Sequence, residues 1–87
     1  MAWKRLDDWV GTNIDDHLVM IHLESGQYVS LNETAAETWE ALDTPKEQDA
    51  IVARLTNKFD IDAESCERAV APLLNEMRDL GLITEVA

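Results

Sequence analysis

Two histidines and one cysteine are the residues of this chain best suited to metal binding or nucleophilic chemistry. His17 and His22 lie five positions apart around a predicted strand, and an odd separation puts two side chains on opposite faces of a strand. They therefore cannot hold one metal ion together, and we expect solvated or edge histidines. Cys66 has no histidine near it in sequence and aligns with Val70 and Leu73 on a predicted helix. We expect a small core residue and not a nucleophile.

Carboxylates are numerous, but their pattern is that of helix surfaces. General acid–base catalysis needs two of them in a sheltered cleft, and nothing in the sequence indicates such a cleft. The surface carboxylates are Glu37, Glu40, Glu47, Asp49, Glu64, Glu67, Glu76 and Asp79. The three glycines are scattered and form no phosphate-binding loop. We expect no enzyme activity, no cofactor and no metal.

Net charge is the strongest clue in the composition. The 87 residues include seven basic and eighteen acidic side chains, for a net charge of −11. Such a chain repels phosphate backbones and anionic membrane surfaces. The charge is consistent with a solvated, solubility-promoting surface or with a preference for a cationic or neutral partner, and composition alone does not separate the two.

The setting indicated by the sequence is soluble and cytoplasmic, with no membrane partner. A single cysteine excludes an internal disulfide and fits a reducing compartment. The first ten residues contain charges and no apolar run, so no signal peptide is visible. No stretch approaches the roughly 20 apolar residues that a membrane helix needs.

The N-terminal third has the pattern of β structure. Leu18–Leu23 is a short run that is apolar on both faces, typical of a central strand. A Ser-Gly pair follows and favours a tight hairpin that returns as Gln27–Leu31. Upstream, Trp9–Asn13 can pair on the far side. We predict a three-stranded antiparallel meander within about residues 3–31.

The rest of the chain has the pattern of three helices, at about residues 33–43, 45–59 and 62–80. Asn32 is a favoured N-cap for the first. Thr44–Glu47 combines a capping box with proline at the first helical position of the second. Gly81 ends the third as a C-cap glycine. This order predicts a single α+β domain over residues 1–87, winged-helix-like, with a three-stranded antiparallel sheet followed by three helices.

Pro72 conflicts with this assignment, because it lies in the middle of the third predicted helix. Proline there removes a backbone hydrogen bond and clashes with the carbonyl of Arg68. We therefore expect a kink or a break near residues 68–71.

A winged helix that binds DNA needs a recognition helix rich in arginine and lysine. The third predicted helix has Arg68 and Arg78 among five acidic residues, so electrostatics oppose nucleic acid. We expect no nucleic-acid partner. A DNA-binding regulator is the least favoured interpretation, and an acidic module that binds a folded protein remains an alternative.

The run LESGQYVSLNETAAETWEAL resembles the signature of the PqqD-like family. It has a Ser-Gly turn, an aromatic residue, Leu-Asn at a strand-to-helix junction, and a tryptophan one helix further on. The run LLNEMRDLGLI is similar to the end of the family's third helix. The matched positions are Gly26, Tyr28, Leu31, Asn32, Ala36, Trp39, Leu80, Gly81 and Leu82. The resemblance extends over residues 18–83, and it departs from the family at Ala35–Ala36, where glycine is common, and at Pro72.

The resemblance implies a recognition element of pathways that make ribosomally synthesised, post-translationally modified peptides (RiPPs), including lasso peptides and a quinone cofactor. Such elements act as peptide chaperones and not as enzymes. They bind the leader of a precursor peptide and present it to a modifying enzyme, leader peptidase or cyclase. The family binds the leader as an added antiparallel strand along the third strand of the meander, beside the third helix.

The third predicted strand suits this role, because it has no proline and no charge to protect an exposed edge. Strand addition draws affinity from main-chain hydrogen bonds and selectivity from side-chain pockets. The predicted peptide-binding residues are Gln27, Tyr28, Val29, Ser30 and Leu31 on the edge, with Val70, Leu73, Leu74 and Met77 on the apolar wall. For each of the four helix residues an ordinary core role is the favoured interpretation, because three helices on a small sheet need every apolar stripe for the core. An unprotected edge strand can also pair with the same strand of a second copy, so a homodimer is possible. The sequence does not assign roles to Trp3 and Trp9.

Overall fold

A computed structural model describes residues 2–86 of the chain. Its elements are, in chain order, β1 (Ala2–Arg5), β2 (Trp9–Ile14), β3 (His17–His22), β4 (Tyr28–Leu31), α1 (Glu33–Ala41), β5 (Lys46–Glu47), α2 (Gln48–Phe59), α3 (Ala63–Asp79) and β6 (Ile83–Val86). The strands form two three-stranded antiparallel sheets, in the orders β2-β3-β4 and β5-β1-β6. None of the helices in residues 2–86 is long and apolar enough to cross a membrane.

The predicted meander is confirmed as the β2-β3-β4 sheet, with β3 at its centre. Alternation along β3 turns Leu18 and Met20 inward, where both are buried. Gly11 lies opposite Met20 in the register. A Cβ at Gly11 would lie 2.9 Å from the Met20 sulfur and 3.0 Å from Cδ1 of Leu18. Glycine at this position therefore lets two core side chains pack against the backbone of β2.

The second sheet was not predicted, and it corrects two expectations. Ala2–Arg5 does not extend the meander but pairs with Ile83–Val86 from the other end of the chain. The helix expected from about residue 45 begins at Gln48, since Lys46 and Glu47 pair with Trp3 and Ala2. The predicted capping box does not form: the N-cap is Glu47, and its side chain makes no capping hydrogen bond. Strand pairing with a distant segment overrides the local helix signal here.

Of the kink or break expected near residues 68–71, the break is wrong, because α3 runs without interruption from Ala63 to Asp79 with Pro72 inside it; the kink stays a prediction. Pro72 and Arg68 both lie on the exposed side of the helix. Water can therefore reach the Arg68 carbonyl that loses its partner, which lowers the cost of an internal proline.

Both ends of α3 are capped as the sequence indicates. The side chain of Asp62 accepts a hydrogen bond from the Ser65 backbone N–H over 2.9 Å. At the other end Gly81 has a φ of +82°, and the N–H of Leu82 donates to the carbonyl of Met77 over 3.0 Å. This six-to-one hydrogen bond is the Schellman pattern, and it turns the chain from α3 into β6.

The hydrophobic core lies between the meander, the three helices and the second sheet. It includes residues from both sheets and all three helices. Its fully buried large side chains include Met20, Leu42, Ile51, Leu55, Leu74, Met77, Leu82 and Ile83. Trp3 is buried in this core, and Trp9 packs against it half-buried. The core therefore joins the meander to α3, the two elements that flank the site described next.

Candidate functional site

Strand β4 is an edge strand, since within residues 2–86 it pairs with β3 alone. The backbone N–H of His22 donates to the carbonyl of Gln27 over 2.7 Å, and these two residues are opposite each other in the β3–β4 register. Hydrogen-bonded and non-bonded pairs alternate along an antiparallel ladder. Val29 therefore bonds to β3, whereas the N–H and C=O groups of Tyr28 and Ser30 point toward the free edge.

A groove of about 160 Å³ lies between β4 with the start of α1 on one side and α3 on the other. It is lined by Val29, Ser30, Leu31, Asn32, Ala35, Leu73, Glu76, Met77 and Leu80. Three of them are from α3 and Leu80 is its C-cap, and their spacing of i, i+3, i+4 and i+7 places them on one face of the helix. Glu76 is the one ionisable residue among these nine. The groove is thus mainly apolar and runs beside unpaired backbone groups.

The junction between β4 and α1 shapes one end of this groove. Leu31 ends the strand as a buried residue, and Asn32 follows as the N-cap of α1. The Asn32 side-chain oxygen accepts from the Ala35 N–H over 2.9 Å. This hydrogen bond satisfies one of the free donors at the helix start and lets the chain pass from strand to helix without an intervening loop.

The structure brings five of the nine predicted site residues to the groove: Val29, Ser30, Leu31, Leu73 and Met77. Gln27 lies in the turn before β4, and Tyr28 is 74% exposed on the outer face of the sheet. Val70 and Leu74 are 1% and 0% exposed, and both belong to the core behind the groove. Whether any of the nine contacts a peptide stays a prediction.

Four lining residues were missing from the predicted set. Helical spacing from Leu73 would have identified Glu76 and Leu80, which share its face of α3. Asn32 and Ala35 carried a cap signal and a helix-core signal, and neither signal indicates a groove. Their position follows from how α1 packs beside β4.

The other candidates for chemistry lie away from the groove. His17 and His22 are on opposite faces of β3, because they are five positions apart and side chains alternate along a strand. They pair with Ile14 and Trp9 of β2. The Ser25 N–H donates to Nδ1 of His22 over 3.1 Å. The His22 and Trp9 rings pack edge to face, with 5.0 Å between their centroids. Across residues 2–86, no three His, Cys, Asp or Glu side chains are grouped to hold a metal ion.

Cys66 is 1% exposed, and its sulfur lies 3.8 Å from the carbonyl oxygen of Val52. Burial raises the pKa of this thiol, and the carboxylates of Asp62 and Glu67 raise it further. Because the thiolate is the nucleophilic form, this environment opposes reactivity and fits the predicted role as a core residue.

Residues 17–83 match the family described as coenzyme PQQ synthesis protein D (PqqD), and the chain belongs to this family. The resemblance inferred from the residues is thereby confirmed. Two solved structures are similar over nearly their whole length. One is TbiB1 in complex with the TbiA(beta) leader peptide, with a TM-score of 0.80, 27% identity, and coverage of 97% of this chain and 98% of that one. The other is lasso peptide synthetase B1 complexed with the leader peptide, with a TM-score of 0.77, 23% identity, and coverage of 95% and 98%. No curated protein sequence matches the chain.

Proposed function

We propose that this chain binds the leader segment of a ribosomally synthesised precursor peptide and delivers it to a modifying enzyme or leader peptidase, without catalysing a reaction itself. The observation that carries the proposal is the free edge of β4 beside the apolar groove of α3. The similarity to TbiB1, whose structure holds a leader peptide, supports it, as does membership of the PqqD family. Lasso-peptide biosynthesis is the pathway type that fits these relatives.

The proposed binding mode is antiparallel strand addition along β4. The outward N–H and C=O groups of Tyr28 and Ser30 are main-chain partners that any extended peptide can use. Side chains of the leader would alternate between the outer face of the sheet and the groove. Selectivity then comes from the groove, where Leu73 and Leu80 are half-buried and give an apolar surface that a leader side chain can cover.

The salt dependence of the affinity distinguishes strand addition from nonspecific attraction of a peptide to an acidic protein. The chain has a net charge of −11, so a basic peptide could associate weakly anywhere on its surface. Such association is screened at an ionic strength near 1 M, where the Debye length is about 3 Å. Binding through main-chain hydrogen bonds and apolar contacts persists in high salt.

The test is fluorescence polarisation with the labelled leader of a precursor peptide from the same pathway, at low and high salt. We expect saturable binding that survives high salt and is competed by unlabelled leader. Replacing Leu73 with serine should weaken binding about tenfold, because roughly 1.4 kcal/mol of apolar contact is lost.

The matched control is Ile61→Ser, which removes a 43%-exposed apolar side chain between α2 and α3, outside the groove. Its leader affinity should equal that of the wild type. A folded, monomeric wild-type protein that does not bind the leader would contradict the proposed function, and so would equal losses in the two variants.

A further inference from the structure

The outer face of the β2-β3-β4 sheet carries apolar side chains that are open to solvent. Val10 pairs with Ile21, and Ile21 pairs with Tyr28, so these three residues form one row across the three strands. They are 47%, 39% and 74% exposed. We call this set the outer-face row. Ile14 on the same face and Leu23 in the following turn are also exposed. Contiguous exposed apolar residues of this kind mark interaction sites in soluble proteins.

The surroundings of the outer-face row are acidic. Between Leu6 and Leu31 the sequence has no lysine or arginine. Five carboxylates lie in this segment, all in the turns at the ends of the strands: Asp7, Asp8, Asp15, Asp16 and Glu24. An apolar patch with an acidic rim is complementary to an apolar patch with a basic rim.

We infer that the outer-face row is the docking surface for the enzyme that acts on the bound peptide, and that this enzyme presents an apolar patch ringed by lysine and arginine. The inference rests on the proposed function and names its second partner. The row ends with Tyr28 at the free edge of β4, so a leader strand added there would continue it. An enzyme seated on the row would contact both this chain and the leader.

A second copy of the chain is a poorer occupant of this surface. Face-to-face pairing would bring five carboxylates against five others, in a chain whose net charge is already −11. Repulsion of this kind keeps acidic proteins apart at moderate ionic strength.

The experiment uses the full chain, the labelled leader, and the modifying enzyme or leader peptidase of the same pathway. The test variant is Val10→Thr/Ile21→Thr, which keeps both positions β-branched but makes them polar. Neither residue lines the groove. The control is Ile61→Thr, an equally exposed apolar position away from the sheet. Leader affinity is measured by fluorescence polarisation and enzyme affinity by biolayer interferometry.

We expect the double variant to bind the leader within twofold of the wild type and the enzyme at least tenfold more weakly, with Ile61→Thr unchanged in both. Asp15→Asn/Asp16→Asn should slow association with the enzyme and reduce the dependence of that rate on salt, because rim charges steer encounter. Asparagine tolerates the positive φ of both positions.

Unchanged enzyme affinity in a double variant that still binds the leader would overturn the docking surface and leave the proposed function standing. Sedimentation that shows a wild-type dimer and a monomeric double variant would also overturn it, by making a second copy the occupant. Loss of leader binding by the wild type itself would instead contradict the proposed function.

Discussion

The indole N–H of Trp9 donates to the carbonyl oxygen of Gly81 over 3.0 Å, across 72 positions of sequence. Trp9 begins β2, and Gly81 follows the C-cap of α3, so this hydrogen bond joins the meander to the end of the helix. The backbone N–H of Leu6 donates to the carbonyl of Leu82 over 2.9 Å beside it. The Leu6 bond continues the β1–β6 ladder, whereas the Trp9 bond ties the meander to the end of the helix whose residues line the groove.

Replacing Trp9 with phenylalanine should destabilise the protein, because the Gly81 carbonyl loses its side-chain donor. A net loss of about 1 kcal/mol is expected for one such hydrogen bond. In a domain of this size that loss corresponds to a Tm lower by roughly 4–8 °C, measured by circular dichroism. Tyr28→Phe removes an exposed hydroxyl and should leave Tm unchanged. A Trp9→Phe protein as stable as the wild type would show that the Trp9–Gly81 bond does not hold the sheet to the helix.

Replacing Ser30 with proline should abolish leader binding, because it removes an N–H that points toward the free edge of β4. The fold should survive, because Val29 and Leu31, and not Ser30, are the residues of β4 that form hydrogen bonds with β3. Proline is also tolerated on edge strands. Ser30→Ala keeps the N–H and is the matched control, expected to bind the leader within twofold of the wild type. Both affinities come from fluorescence polarisation. Undiminished binding by a folded Ser30→Pro protein would exclude strand addition at this edge.

Replacing Pro72 with alanine should stabilise the protein by about 1–3 kcal/mol, because it restores an N–H donor to the Arg68 carbonyl and removes the ring. Pro72→Gly restores the same donor, but glycine is about 1 kcal/mol less favourable than alanine inside a helix, so this variant should gain less stability. Urea unfolding measures both free energies. Leader affinity should not change, since Pro72 is not among the lining residues. A less stable Pro72→Ala protein would contradict a net cost of proline at this position of α3.

Stability should fall in alkaline solution through the Cys66 thiol. Burial raises its pKa above the ordinary value of 9.0, so the unfolded chain loses this proton at lower pH than the folded one. The thiol's contribution is therefore fully present below about pH 9 and declines as pH rises from there toward the folded pKa.

The measurement is the free energy of unfolding of the wild type minus that of Cys66→Ala, from pH 7 to about pH 10. Removing the thiol costs packing at every pH, so the difference in free energy of unfolding should be constant in neutral solution. Above about pH 9 the difference should shrink, because the thiol of the unfolded wild-type chain loses its proton there. Other alkaline titrations cancel in the comparison. A difference that stays constant to pH 10 would contradict a raised pKa.

Local patterns predicted the elements whose signals lie within a few residues. The apolar run around Met20 identified β3 as the central strand, since a short apolar run bounded by turn signals is typical of a strand between two others. The structure buries the face with Leu18 and Met20 and leaves Ile21 39% exposed on the other. Asn32 and Gly81 marked the start of α1 and the end of α3, since caps act through hydrogen bonds to the adjacent turn. The order and spacing of several motifs between residues 18 and 83, none decisive by itself, were sufficient to recognise the PqqD family.

The tertiary structure decided what depends on distant partners. The β5-β1-β6 sheet joins Ala2–Arg5 to Ile83–Val86, and no local pattern records a pairing between the two ends of a chain. In the same sheet, the pairing of Lys46 and Glu47 with Trp3 and Ala2 places the start of α2 at Gln48. Distant contacts also decide which apolar residues of the third helix are buried. Val70 and Leu74 face the core, whereas Leu73 and Leu80 face the groove. All four are apolar and helically spaced, so sequence periodicity determines that they share a side of α3. Only the packing of α3 against β4 determines which of them stay open to a ligand.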